Sequence, residues 1–300
     1  METDLTIVSE FWGSDEMIAL RGKGIHWTEQ PQVLAYMCQQ MSGDPDVHWD
    51  LHFWKNYIRP QSHSLNVLSL GCGLGDLEIS LMKRGNIKYM TACDVSERAL
   101  ILAKESAVQS GVDINFLHVD LNNPLFPENT YDIIVGSSCL HHVSNLEPLL
   151  FQVRRSMRAN GIFVINEYVG SNRFQFPLKQ IEIINQLFSL LPDKYRRRVS
   201  NPSNLKESVD FPSIQSLIDT DPSEAVRSAD IVPLLQRFFR VYENRPFGGT
   251  ILHFLLYDIA GNFCASNPND RIIMDLLINT EKVLIESGVL GSDFIYMVLG

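Results

Sequence analysis

Three clusters of residues in this sequence have types and spacings that could do chemistry. The first is Val67-Leu68-Ser69-Leu70-Gly71-Cys72-Gly73-Leu74-Gly75-Asp76, a short apolar run, a glycine-rich turn and the start of a helical pattern. Glycines in such a turn accept positive φ and let a ligand approach the backbone, and the helix that follows offers free N–H groups. The spacing narrows the ligand. A dinucleotide fingerprint places its third small residue at position 76, where Asp76 would set a carboxylate against a pyrophosphate. A Walker loop needs Gly-Lys-Ser/Thr, which is absent.

The second cluster is His141-His142, just after the apolar run that begins at Tyr131. A histidine with an ordinary pKa of about 6.5 suits proton removal at neutral pH, worth about 10²–10⁴-fold in rate. The third is Glu167-Tyr168, at the end of another apolar run. Glu167 could orient a histidine or hold a polar acceptor. Further on, Arg173 lies in Arg173-Phe174-Gln175. His26, Trp27 and Glu29 sit in an aromatic N-terminal segment and are candidates for substrate contact.

These residues need a scaffold, and residues 65–168 supply one. Strands are expected at 66–70, 89–93, 114–119, 131–135 and 162–168. Helices are expected from the glycine turn through Leu81, at 96–110 and at 146–158, the last stopped by Asn160-Gly161. Such alternation means βαβ units and a parallel sheet with helices on both faces. Residues 1–62 read as helical and aromatic, with a helix start at Asp44-Pro45 followed by Val47, Leu51, Trp54 and Ile58. Residues 170–236 carry six prolines and a helical pattern at 178–191, and read as a helical insertion serving as a substrate lid. A strand at 238–243, helices at 249–261 and 269–287, and a strand at 294–299 complete the sheet. The division is therefore an N-terminal lid (1–62), an α/β core (63–169), the insertion (170–236) and a C-terminal completion of the core (237–300).

Composition excludes several classes. The 300 residues carry 25 Lys and Arg against 35 Asp and Glu, a net charge of −10. That disfavours nucleic acid and anionic lipid as partners. The run Arg196-Arg197-Arg198 reads as a solvated helix end. Five scattered cysteines form neither a disulfide framework nor a zinc pattern, and no metal is expected. No apolar run reaches the roughly 18–20 residues of a membrane span, and the N-terminus lacks signal-peptide features, so a cytoplasmic location is expected.

With Gly71-Cys72-Gly73-Leu74-Gly75 in place, the chain resembles the class I S-adenosylmethionine (SAM) dependent methyltransferases, in a bacterial small-molecule subgroup. The resemblance covers roughly residues 60–170 and the last strand. It rests also on Asp94 ending the second strand, on His118-Val119-Asp120-Leu121, and on Tyr131-Asp132-Ile133-Ile134-Val135-Gly136-Ser137-Ser138. It implies a Rossmann-like, mostly parallel seven-stranded sheet with an antiparallel last strand. It also implies SAM as cofactor, released as S-adenosylhomocysteine. Cofactor contacts are implied at Ser69, Gly71, Cys72, Gly73, Gly75, Asp94, Val95, Asp120, Leu121 and Ser137, with Asp94 on the ribose and Asp120 beside the adenine. Asp94 also reads as a helix N-cap, and Asp120 as a turn residue before Asn122-Asn123-Pro124. The sequence departs from the family at Ser69, where an acidic residue is usual, and Asp76 is close enough to substitute.

The activity implied is methyl transfer to oxygen or nitrogen of a small metabolite, such as a sugar-bearing or natural-product intermediate. His141, His142, Glu167 and Tyr168 are the candidate catalytic residues, and His26, Trp27 and Arg173 the substrate contacts. The Asn/Asp-Pro-Pro-Tyr motif of amino-methylating DNA enzymes is absent, and Asp132 stands without the carboxylates a magnesium site needs. Alternatives are a catalytically silent SAM-binding partner protein and a SAM-fold enzyme with other chemistry. The aromatic N-terminal segment can cover its own pocket or that of a second copy in a homodimer.

Overall fold

A computed structural model describes residues 5–12, 14 and 22–300. Among them seven strands form one sheet: β1 (Leu65–Leu70), β2 (Ile87–Asp94), β3 (Asn115–His118), β4 (Tyr131–Ser137), β5 (Met157–Tyr168), β6 (Val241–Gly248) and β7 (Phe294–Leu299). Their order is β3-β2-β1-β4-β5-β7-β6. The pairs β1/β2, β2/β3, β1/β4 and β4/β5 are parallel, and β7 runs antiparallel to both β5 and β6. The mostly parallel sheet with a reversed last strand is thus the one the sequence implies. Strand order reverses between β1 and β4, so the crevice at their carboxyl ends is where such a sheet binds ligands.

Period-two alternation along the strands builds two cores. Val67, Ile133, Val135, Val164, Tyr296 and Val298 pack on the face covered by the helices Pro31–Ser42, Trp49–Phe53, Asp76–Arg84 and Pro268–Glu286. Leu68, Leu70, Ile134, Phe163, Ile165 and Met297 face the helices Leu146–Ser156 and Ser228–Phe238. Each fully buried aliphatic or aromatic side chain adds about 1.5–3 kcal/mol, so this double-sided burial fixes the strand ends that carry the site.

Several element boundaries differ from the sequence reading. Asp44-Pro45 does not start a helix: the Asp44 carboxylate accepts the N–H of Asp46 at 2.9 Å in a turn, and the helix begins at Trp49. A π-turn at Trp54–Ile58 then shifts the buried positions to Trp49, Phe53 and Ile58. The helix expected at 146–158 ends at Ser156, and residues 158–161 bulge from β5, with Asn160 at φ 67°. Phe238 closes a helix rather than opening a strand, so the expected boundary at 236/237 falls inside the helix Ser228–Phe238. The helix expected at 249–261 is only Leu252–Leu256, because Asp258 takes φ 62°, donates its N–H to Ile25 O and accepts at its carboxylate from Arg198 and Ser200.

Candidate active site

Two adjoining cavities open at the β1/β4 crevice. The first, about 380 Å³, is walled by the turn after β1, the ends of β2 and β4, and the segment after β3. Ser69, Gly71, Cys72, Gly73, Asp94, Val95, Asp120, Leu121 and Ser137 all line it. Gly71 needs its glycine: φ is +60°, and a Cβ there would collide with the Cβ of Cys139. Gly75 is not on the wall. It sits at φ +78° ahead of the helix Asp76–Arg84, where a Cβ would press on Ala103 at 3.2 Å.

The Asp94 carboxylate does not cap the following helix, whose N-cap is Ser96. One oxygen accepts the N–H of Gly73 at 2.8 Å and the other that of Ser96 at 2.9 Å, so Asp94 ties β2 to the glycine turn. Asp120 accepts the N–H of Asn122 at 2.8 Å, closing a turn at the cavity edge.

The carboxylate missing at Ser69 is supplied from an unexpected place. Glu78, in the helix Asp76–Arg84, accepts the Ser69 hydroxyl in the buried wall of the first cavity, and its Oε2 has no partner among the described residues. Burial pushes its carboxyl up to about 7. Asp76 also lines the cavity, but Glu78 is the acid that reaches Ser69.

The second cavity, about 710 Å³, is assembled from separate parts of the chain: Phe11, Trp12, His26 and Trp27; Ser138 and His141; Tyr168; the insertion from Phe174 to Glu224; and His253, Phe254, Tyr257 and Phe294. Trp12, Ser138 and His141 belong to both cavities. His141 therefore stands at their junction.

Its ring is held from behind. Glu167, 1% exposed, binds Nδ1 of His141 and accepts the N–H groups of Cys139 (2.9 Å), Leu140 (2.7 Å) and Tyr168 (2.8 Å). Accepting from the ring as it does from the three backbone N–H groups, the carboxylate fixes Nδ1 as the protonated nitrogen, leaving Nε2 to the cavities. Nε2 lies 3.6 Å from a carboxylate oxygen of Glu224. Burial pulls the His141 pKa down, but Glu167 and Glu224 outweigh it and raise the pKa to about 9.

His142 is different. Its Nδ1 meets the Ser223 hydroxyl at 2.9 Å, which in turn donates to Asp221 at 2.6 Å. Burial and the neighbouring His141 lower its pKa to about 3, so it is neutral. Tyr168 gives its hydroxyl to Ser171 O at 3.0 Å, and burial raises its pKa; it acts as wall rather than acid or base. Arg173 lines neither cavity: its guanidinium donates to the Glu224 carbonyl at 3.0 Å and so fixes the backbone that carries Glu224.

The basic run is not a solvated helix end throughout. Arg198 pairs with Asp258 at 3.2 Å and lines the second cavity with Lys206. Sequence reasoning missed Glu78, Glu224, Lys206, Trp12 and His253. Among the described residues, the ligand atoms of His141, His142 and Glu224 lie within 4.8 Å of one another, close enough for an ion. No helix among those residues is long and apolar enough to cross a membrane.

Comparison with known proteins bears on this site. Residues 67–161 match the family described as a methyltransferase domain (Methyltransf_25). The chain is similar to the ubiquinone/menaquinone biosynthesis C-methyltransferase UbiE of Burkholderia ambifaria, with 22% identity over 216 residues, 68% of this chain and 87% of that one. It is also similar to the reducing polyketide synthase Preu2 of Preussia isomera, with 27% identity over 114 residues, 37% of this chain but 5% of the synthase. A solved structure, the S-adenosylmethionine dependent methyltransferase from Mesorhizobium loti, aligns over 82% of this chain and 96% of its own at 14% identity and a TM-score of 0.47. Residues 67–161 thus form a methyltransferase domain, the kind that class I SAM-dependent methyltransferases carry.

Proposed function

We propose that the first cavity holds SAM and the second a small-molecule acceptor, with His141 as the general base between them. The observation that carries this reading is the position of His141, shared by both cavities and oriented through Nδ1 by Glu167. The residues of the first cavity fit the cofactor. The glycine turn gives close backbone approach, Asp94 can accept ribose hydroxyls, and Glu78 offers an unpartnered buried oxygen for an ammonium group. Bound there, SAM supplies an activated sulfonium methyl and leaves as S-adenosylhomocysteine.

The protein's own work is alignment, proton removal and exclusion of water. Nε2 of His141 takes the acceptor proton, and Glu224 at 3.6 Å stabilises the imidazolium that results. A base with a conjugate-acid pKa of about 9 is matched to an acceptor of comparable acidity, such as a phenol of pKa about 10. Deprotonation of a phenol or enol leaves an anion that reacts at oxygen or at carbon. Transfer to oxygen or nitrogen is the expectation from sequence. The C-methyltransferase name of the UbiE relative favours carbon of such an ambident anion as a second reading. The N-terminal segment and the 170–236 insertion, which meet around the second cavity, form its cover.

The test is incubation with SAM and a panel of phenols and enolisable ketones, read as a 14 Da mass gain, with His141→Ala beside the wild type. Gain in the wild type alone supports the reading. Equal gain in both sinks His141 as the base.

A further inference from the structure

The second cavity has two charged poles joined by an aromatic wall. At one pole stand His141, Glu224 and Asp221. From His141 a chain of rings runs through Tyr168 (centroids 6.0 Å apart), Phe174 (5.1 Å) and Phe254 (5.3 Å). The carbonyl of Phe254 accepts from Nζ of Lys206 at 3.4 Å, and that of Tyr257 at 2.8 Å, which places Lys206 at the far pole.

Lys206 is 4% exposed, yet among the described residues no carboxylate lies within ion-pair distance of its ammonium. The carboxylates that influence it are otherwise engaged: Asp258 binds Arg198 and Ser200, and Asp210 is exposed and takes the Ser208 hydroxyl. A buried ammonium held by two carbonyl oxygens and by the face of the Phe188 ring, 5.4 Å to its centroid, still lacks a counter-charge, and a buried charge is costly unless paired. Arg198, paired with Asp258, lines the same wall, as does Asp210. Glu224 and Asp221 would repel an anion from the His141 end.

We propose that the acceptor is an amphipathic organic acid, its anionic group on Lys206 and its flat apolar body along Tyr168, Phe174 and Phe254, which presents its far end to His141. The proposal rests on the acceptor-cavity reading above and names its substrate class. Charge sets the orientation and the aromatic rings set the shape. His253 adds a polar contact midway: its buried Nδ1 has no partner among the described residues, and its ring lies 6.0 Å from Phe174 and 4.7 Å from Phe254.

The experiment titrates the protein with 2-naphthoate and with 2-naphthamide, the same shape without the charge, with and without S-adenosylhomocysteine. The expected result is naphthoate binding at least ~10-fold tighter than the amide, with the preference lost in Lys206→Met and kept in Lys206→Arg. Equal affinity for the two probes, no binding of either, or a preference that survives Lys206→Met overturns the proposal and leaves Lys206 as a cap for the helix Leu252–Leu256. The wild-type comparison decides by itself should Lys206→Met fail to fold. Failure of S-adenosylhomocysteine to bind the wild type would instead remove the cofactor reading, and the naphthoate preference is read without it.

Discussion

Glu167 binds His141 with the same carboxylate that anchors the backbone on either side of it. One oxygen takes the His141 ring and the Tyr168 N–H, and the other takes the N–H groups of Cys139 and Leu140. The side chain at the end of β5 therefore shapes the turn after β4 and sets the tautomer of the histidine on that turn. Orientation of the base and local backbone structure are coupled through one residue.

Glu167→Gln separates these roles. The amide can accept through one oxygen only, so the His141 tautomer is no longer fixed. Turnover should fall about 10²–10⁴-fold while S-adenosylhomocysteine affinity stays within a few-fold, measured by single-turnover assay and calorimetry. Activity near the wild-type level would show that His141 needs no orienting partner.

The rate should depend on pH through His141. Its pKa is raised to about 9, so the neutral, proton-accepting form grows as pH rises toward 9, and kcat should climb over that range. Glu224 contributes to the raised value, so Glu224→Gln should move the rising limb to lower pH. The stability sign follows from the same shift: the ion pair stabilises the fold fully below the unfolded pKa of about 6.5 and loses that contribution as pH passes through about 9. A limb that Glu224→Gln leaves in place would refute the assignment.

Cofactor affinity should depend on Asp94 and Glu78 in different ways. Asp94→Ala removes an acceptor at the glycine turn and should weaken S-adenosylhomocysteine by roughly 10–100-fold, the value of a hydrogen bond to a charged group. Glu78→Gln should weaken S-adenosylhomocysteine but spare 5′-methylthioadenosine, which lacks the ammonium group. It should also remove a pH-dependent loss of apo stability, since a carboxyl raised to about 7 disfavours its charged form as pH rises from about 4.5. Calorimetry with the two ligands decides, and equal losses for both would deny Glu78 an ammonium contact.

A metal should compete with the base. His141, His142 and Glu224 are close enough together to hold zinc, and a zinc ion there would occupy the Nε2 lone pair that takes the acceptor proton. Micromolar Zn²⁺ should therefore inhibit, and EDTA should leave turnover unchanged. Loss of turnover on chelation, restored by a divalent ion, would replace the base with a metal.

The sequence by itself determined the sheet and the first cavity. The glycine turn, Asp94, Val95, Asp120, Leu121 and Ser137 lie at strand ends, and strand periodicity with short βα turns forces those ends to one edge of the sheet. It also placed His141 and Glu167 at neighbouring strand ends, because β4 and β5 pair in parallel register with Ser137 beside Asn166. What it could not place were groups whose position depends on contacts between distant segments. Glu78 looked like an ordinary helical glutamate until the helix packed its carboxylate against Ser69. Glu224 and Lys206 come from a proline-rich insertion with little periodicity, and they reach the cavity because Arg173 binds the Glu224 carbonyl and Lys206 binds the carbonyls of Phe254 and Tyr257. Local patterns encode backbone conformation and a buried face. The second cavity is made by side chains more than a hundred residues apart, and only tertiary packing decides which of them meet.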